Sequence, residues 1–163
     1  MLLPRLSADV VAFLRGSVSI VAASSGADGL PDLARAVGCR VRADRGRVTV
    51  LVASSQSSGL LESVRLTRRV AVVFTQPSTH RALQLKADDA VVEARGEDDA
   101  RLVAAYQAAM VPELAKVGFG EDFARAMFGA APDDLVAIGF SPAAVFEQTP
   151  GPRAGERIED ADR

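Results

Sequence analysis

The chain has 163 residues, of which 48% are hydrophobic and 25% are charged, and its formal net charge is −2. This charge gives no general attraction to nucleic acid or to an anionic membrane surface. The longest apolar run is far too short to span a bilayer, and the first residues lack the pattern of a signal peptide, so we expect a cytoplasmic protein. The length suits a single domain over residues 1–150, and the Pro-, Gly- and charge-rich residues 151–163 predict a flexible tail.

The sequence contains one cysteine, Cys39, and one histidine, His80. An intrachain disulfide is therefore impossible, and two such residues do not make an ordinary zinc site, so no metal is expected. We interpret Cys39 as a small buried residue of a strand. A nucleophilic pair of Cys39 with His80 is the alternative.

The first part of the chain predicts a helix followed by a hairpin. Residues 7–15 have helical spacing, with Ser7 as N-cap and Gly16 as terminator. Two strand patterns follow, over 17–23 and 32–42, and a turn rich in Gly, Asp and Pro joins them.

Arg35 is the most informative charge of this hairpin. If alternation continues without a bulge, Arg35 shares its face with Val37, Cys39 and Val41, whereas Arg40 faces the other way as an ordinary solvated charge. An arginine on an apolar face needs a partner. Two interpretations remain open. In the first, Arg35 has a structural role and either forms an internal ion pair or extends to water; in the second, its guanidinium binds an anionic ligand.

The stretch from Val48 to Ala94 organises the rest of the chain. A buried strand (VTVLVA) passes through a Ser-rich loop (SSQSSG) into a short apolar helix, and a strand over 70–75 follows. The loop places hydroxyls and free N–H groups at a helix N-terminus, where a phosphate can bind. The alternative is that these serines only cap the helix.

The next strand pattern runs from Arg81 towards Ala94, with a bulge or bend at Asp88 and Asp89. Its alternation places Gln84 and Lys86 on one face, which is either a solvated face or part of a binding site.

The last part of the chain alternates helix and strand patterns. A helix is predicted over 98–110, Pro112 begins a second segment, and a third helix spans 121–128, so that the helices cover an open end of the sheet. A final strand over 135–148 is interrupted at Ser141-Pro142.

Four segments carry a family resemblance: SVSIVAAS, ARAVGCRV, VTVLVASSQSSGLLESVRLTRRVAVVFTQP and RALQLKA. In their order and spacing they resemble the pyridoxamine 5'-phosphate oxidase family of FMN-binding split β-barrel proteins, over roughly residues 7–150. The resemblance implies a mainly β fold with helices, a split β-barrel, and a homodimer with FMN in a groove between the subunits.

The resemblance also implies cofactor-binding positions. Arg35 matches a phosphate-facing arginine, and Ser54, Ser55 and Gln56 match a strand end and loop that contact the flavin. Ser58 matches a helix-start position where many members place a basic residue. Gln84 and Lys86 match a strand whose polar side chains reach the flavin ring or ribityl chain. Because SSQSSGLL contains no Lys or Arg, phosphate binding would depend on Arg35, hydroxyls and backbone amides.

The resemblance implies an FMN-dependent oxidoreductase in which the cofactor accepts hydride, with substrate and catalytic residues unknown. A second hypothesis is a non-enzymatic dimer that binds flavin or another small anion. A third is a haem-binding split barrel with His80 as axial ligand.

Overall fold

The computed structural model describes residues 5–158, which form an eight-stranded antiparallel sheet and four α-helices. The strands are β1 (Ser19–Ser25), β2 (Pro31–Val41), β3 (Val48–Ala53), β4 (Val70–Thr75), β5 (Ala82–Ala87), β6 (Val91–Ala94), β7 (Leu135–Phe140) and β8 (Ala144–Glu147). The helices are α1 (Ala8–Leu14), α2 (Ser58–Thr67), α3 (Asp99–Ala115) and α4 (Glu121–Phe128).

The strand order is β6-β7-β3-β2-β1-β4-β5-β8. After β3 the chain crosses to the far side of β1 through α2, whose apolar side chains Leu60, Leu61 and Val64 are buried in the main core. The main core lies on the inner face of the sheet, where α1 also packs. The predicted alternation of β4 is confirmed, since Val70, Val72 and Phe74 are buried and the residues between them are partly exposed.

Helix α3 packs on the outer face of the sheet rather than over an open end. Val103 forms a second buried cluster with Val37 of β2 and Leu51 of β3. Strand β3 is consequently buried on both faces. The expectation that this helix covers an open end is therefore wrong for α3.

Pro112 lies inside α3 and does not begin a separate segment, so this prediction is wrong. A proline in a helix interior removes one backbone hydrogen bond and costs about 3 kcal/mol. The apolar side chains on either side of it, Met110 and Leu114, are both buried in a cluster with α4. Their burial offsets the cost of the proline, which lies only three residues before the helix ends.

The two predicted interruptions are the places where the chain changes its strand neighbours. The chain bends at Asp88-Asp89, so that β5 pairs with β4 and β6 pairs with β7. The pattern over 135–148 divides at Ser141, and the two parts pair with different strands. The Asp89 carboxylate accepts a hydrogen bond from the Ser141 N–H at 2.8 Å, which ties the two bends together.

The beginning of the predicted tail folds back along β8. The Gly155 N–H donates to the Glu147 carbonyl at 2.7 Å, and the Ile158 N–H donates to the Val145 carbonyl at 2.8 Å. Residues 159–163 of the predicted tail lie outside the described residues. Within residues 5–158, no helix is long and apolar enough to cross a membrane.

Candidate cofactor site

Arg35 lies on the outer face of β2 because of a β-bulge. The register between β2 and β3 shifts between Ala36 and Gly38, so the alternation of inward and outward side chains changes there. Cys39 and Val41 pack in the main core, whereas the Arg35 side chain is exposed. The prediction that Arg35 shares a face with Val37, Cys39 and Val41 is therefore wrong for Cys39 and Val41, since it required unbroken alternation, whereas Val37 packs against α3 on the outer face.

The Arg35 guanidinium is held in place without a carboxylate. Its Nη1 donates to the Ser19 hydroxyl at 2.7 Å, and its central carbon lies 5.2 Å from the centre of the Phe128 ring of α4. Tyr106 of α3 packs edge-to-face on the same ring, with ring centres 5.8 Å apart. Among residues 5–158 no acidic side chain forms an ion pair with Arg35, so its charge is oriented but uncompensated.

The strand register places Arg35 and Gln84 on the same face. Arg35 lies opposite Val21 of β1, Val21 lies opposite Val73 of β4, and Val73 lies opposite Gln84 of β5. Directly opposite residues of antiparallel strands point to the same side of a sheet. The row spans three strand spacings, so the two polar residues lie about 14 Å apart along the sheet.

The next row contains small side chains and Lys86. Ala23 of β1 lies opposite Ala71 of β4, which lies opposite Lys86 of β5. These residues line a cavity of about 480 Å³, and Arg69 adds a second positive charge to its wall. This volume lies within the range of small-molecule sites. The predicted residues Arg35, Gln84 and Lys86 thus share one outer face of the sheet.

Some hydrogen-bond donors of the Ser-rich loop already bind a carboxylate of the same chain. Ser54, Ser55 and Gln56 form a short 3₁₀ turn before α2. The Ser55 N–H and hydroxyl donate to the Asp134 carboxylate at 2.8 and 2.5 Å, and these bonds lower the pKa of that carboxyl. Ser55 therefore already binds an anionic group, the Asp134 carboxylate.

A second carboxylate lies beside the first turn of α2, which Ser58 begins as an exposed residue. The Ser63 hydroxyl donates a hydrogen bond to one Asp32 oxygen at 2.6 Å. The other Asp32 oxygen lies so close to Gly59 that a side-chain Cβ at this position would come within 2.5 Å of it. A negative charge is stabilised near a helix N-terminus, and it also repels a phosphate from the same place. Ser57, the N-cap, is buried, and its hydroxyl has no hydrogen-bond partner among the described residues.

Cys39 and His80 occupy different environments. Burial raises the pKa of the Cys39 thiol to about 12, although the charges of Arg15 and Arg40 lower it. The prediction of a buried Cys39 is confirmed, since its exposed fraction is 9%. His80 is exposed in the turn between β4 and β5, in a left-handed backbone conformation with φ of 60°. No group of three His, Cys, Asp or Glu residues within 5–158 is arranged to hold a metal ion.

No protein-family model and no curated protein matches this sequence. Solved structures do match it. HupZ from Group A Streptococcus has 13% sequence identity and a TM-score of 0.55, with 92% of this chain and 100% of that chain covered. A putative pyridoxamine 5'-phosphate oxidase from Lactobacillus delbrueckii has 16% identity and a TM-score of 0.52, with coverages of 87% and 93%. The chain therefore has the mainly β fold of the pyridoxamine 5'-phosphate oxidase-like split barrels, as the sequence resemblance predicted.

Proposed function

We propose that this protein is an FMN-binding oxidoreductase that holds the cofactor on the outer face of β1, β2, β4 and β5. The observation that carries the proposal is the register that places Arg35, Gln84 and Lys86 on this one face. A flat anionic cofactor needs an apolar surface for its ring, a cation for its phosphate and hydrogen-bonding groups at its edge. This face offers all three.

Arg35 would hold the phosphate. Its guanidinium is oriented by Ser19 and has no carboxylate partner among the described residues, so an incoming anion displaces none. Val21 and Val73 offer an apolar floor, and the Gln84 amide can both donate and accept hydrogen bonds. When bound, FMN supplies the hydride-accepting ring, and the residues of this chain bind and orient it.

Ser54, Gln56 and Ser58 remain proposed as lesser contacts, because they lie at the end of β3 and the start of α2, next to β2. The carboxylates of Asp32 and Asp134 disfavour phosphate at the loop itself. The fit of FMN is accordingly better on the sheet face than at the α2 N-terminus.

A homodimer completes the proposed groove. Leu30 and Leu33, at the hairpin of β1 and β2, are each 66% exposed. Leu33 lies opposite Ala23, so it borders the row that contains Lys86. A second copy of the chain would bury this apolar rim and exclude water from the ring.

The alternative is a non-enzymatic dimer that binds flavin or another small anion. The sheet face supports it equally, because a binding surface requires no proton donor or acceptor. No residue is assigned a catalytic role in either case. Haem ligation by His80 and a cytoplasmic location stay predictions from the sequence.

Titration of the full-length protein with FMN, followed by quenching of flavin fluorescence, tests the proposal. We expect Arg35→Ala to weaken FMN binding about 10- to 100-fold, because a charge-assisted hydrogen bond contributes about 1.5–3 kcal/mol. Arg65→Ala, which removes an exposed arginine of α2, is the matched control and should bind FMN as the unmodified chain does. Equal affinities of all three proteins would remove Arg35 from the site, and a chain that binds no FMN would refute the proposal.

Anaerobic mixing separates the enzyme from the carrier. FMN-loaded protein is mixed with NADH, NADPH or a reduced deazaflavin, and the flavin absorbance is recorded. Bleaching by any donor supports the oxidoreductase. Unchanged absorbance with every donor supports the non-enzymatic dimer.

A further inference from the structure

A second cavity, of about 500 Å³, lies between α1, β2 and α3. It exists because β1 and β2 differ in length. Their pairing ends at Ile20 and Ala36, whereas β2 continues to Val41. Among the residues that the structure describes, no strand therefore lies beside the β2 edge over 37–41 on the β1 side, and the end of α1 and one side of α3 flank the resulting notch.

Two guanidinium groups lie in the wall of this cavity. Arg15, the C-cap of α1, donates from Nη2 to the Val41 carbonyl at 2.8 Å and so reaches across the open strand edge. Arg40 of β2 is held by Asp99, with Nε 2.9 Å from the carboxylate. Arg15 and Arg40 both line this cavity, together with Cys39.

The two arginines differ in how many of their N–H donors are already hydrogen-bonded and in whether a carboxylate neutralises them. Arg40 uses Nε and Nη2 to bind Asp99. Among residues 5–158, the Arg15 guanidinium has no ion-pair partner and makes one hydrogen bond, to an uncharged carbonyl. An arginine carries five N–H donors in a planar fork that matches a carboxylate, so Arg15 has donors left for a ligand.

The remaining walls are apolar. Leu14 of α1 is buried, Leu102 of α3 is half-buried, and the small side chains of Ala105 and Ala109 leave the mouth open to solvent. The hydroxyl of Tyr106 is already engaged, since it donates to the Val18 carbonyl at 2.7 Å. Charge at one end and hydrocarbon along the sides suit an amphipathic ligand rather than a polyanion such as a nucleotide phosphate.

We propose that this cavity binds a small monocarboxylic acid with an apolar body, whose carboxylate pairs with Arg15. Arg40 adds positive potential, and the body lies against Leu14 and Leu102. The lining of this cavity includes none of the residues proposed to bind FMN, so the two sites use different side chains.

Calorimetric titration of the full chain with phenylacetate tests the proposal, with neutral phenylacetamide as the matched ligand. Phenylacetate should bind, and phenylacetamide should bind at least about tenfold more weakly because it cannot form the charge-assisted pair. Arg15→Met should lower the affinity for phenylacetate about 10- to 100-fold, while Arg65→Met on α2 leaves it unchanged. Ala105→Phe, at an exposed helix position, should also weaken binding because its ring enters the cavity mouth.

Absence of phenylacetate binding, equal affinity for the amide, or equal affinity of the Arg15→Met protein would each overturn the proposal. FMN titration of the same variants distinguishes this result from failure of the flavin site, because Arg15→Met leaves the sheet face unchanged.

Discussion

The ion pair between Arg40 and Asp99 predicts an unequal response to removal of its two partners. Asp99 begins α3 and is 2% exposed; it accepts from Arg40 at 2.9 and 3.4 Å and from the Gly96 N–H at 2.6 Å. The Arg40 side chain is 42% exposed. Without Asp99, the arginine can turn towards water. Without Arg40, a buried carboxylate keeps only one neutral donor.

The magnitudes follow from this asymmetry. Breaking a buried pair by removing one partner costs about 3–5 kcal/mol, and the solvent contact of Arg40 reduces this to about 2–3 kcal/mol for Arg40→Met. Asp99→Asn keeps an acceptor for Gly96, so it should cost about 1–2 kcal/mol. Arg101→Met is the control, since its pair with Asp98 spans 3.8 Å and both side chains are 90% exposed. That change should cost less than about 0.5 kcal/mol.

Urea unfolding of the two single variants, the double variant and the control measures these differences. We expect Arg40→Met to lower the free energy of unfolding more than Asp99→Asn does, and the double variant to cost less than the sum of the two. The reasoning is refuted if Asp99→Asn is the more costly change, or if the two effects add without coupling.

Two further predictions concern titratable groups. Because burial raises the pKa of Cys39 to about 12 from its usual 9.0, the free energy of unfolding should fall as pH rises above about 9, where only the unfolded thiol ionises. Cys39→Ala should remove the part of that fall between about pH 9 and pH 10 in urea titrations, whereas the fall above about pH 10 remains because burial also raises the pKa of Tyr106 above its usual 10.0. Burial raises the pKa of Glu113, but hydrogen bonds from Lys116 and Ser78 outweigh it and leave this pKa below its usual 4.5. Its stabilising contribution is therefore present above about pH 4.5 and lost as pH falls further, so Glu113→Gln should unfold with a smaller dependence on acid pH.

The fold was predictable where short-range patterns determine it. The alternation in β4 follows from the period of a strand, and the breaks at Asp88-Asp89 and Ser141-Pro142 follow from local turn chemistry. Pro112 was misinterpreted because a local rule was outweighed by burial of its neighbours against α4. The sequence contains no local sign of that burial.

The contacts that two distant carboxylates make with the Ser-rich loop and with α2 could not be predicted from the sequence. Asp134 is 79 residues from Ser55, and Asp32 is 31 residues from Ser63. Neither pair has a spacing that predicts contact, since only the folded sheet brings β2, α2 and the turn before β7 together. A loop of hydroxyls indicates that hydrogen-bond donors are present, and it does not indicate which acceptor they meet.

The β-bulge between Ala36 and Gly38 links the two proposed sites. An inserted residue reverses which side chains of a strand face outwards. No residue pattern in ARAVGCRV predicts this bulge. Before the bulge, Arg35 points outwards and lies in the same cross-strand row as Gln84. After it, the outward position belongs to Arg40, which meets Asp99 of α3. One irregularity in β2 thus directs one arginine to the proposed flavin face and another to the cavity beneath α3.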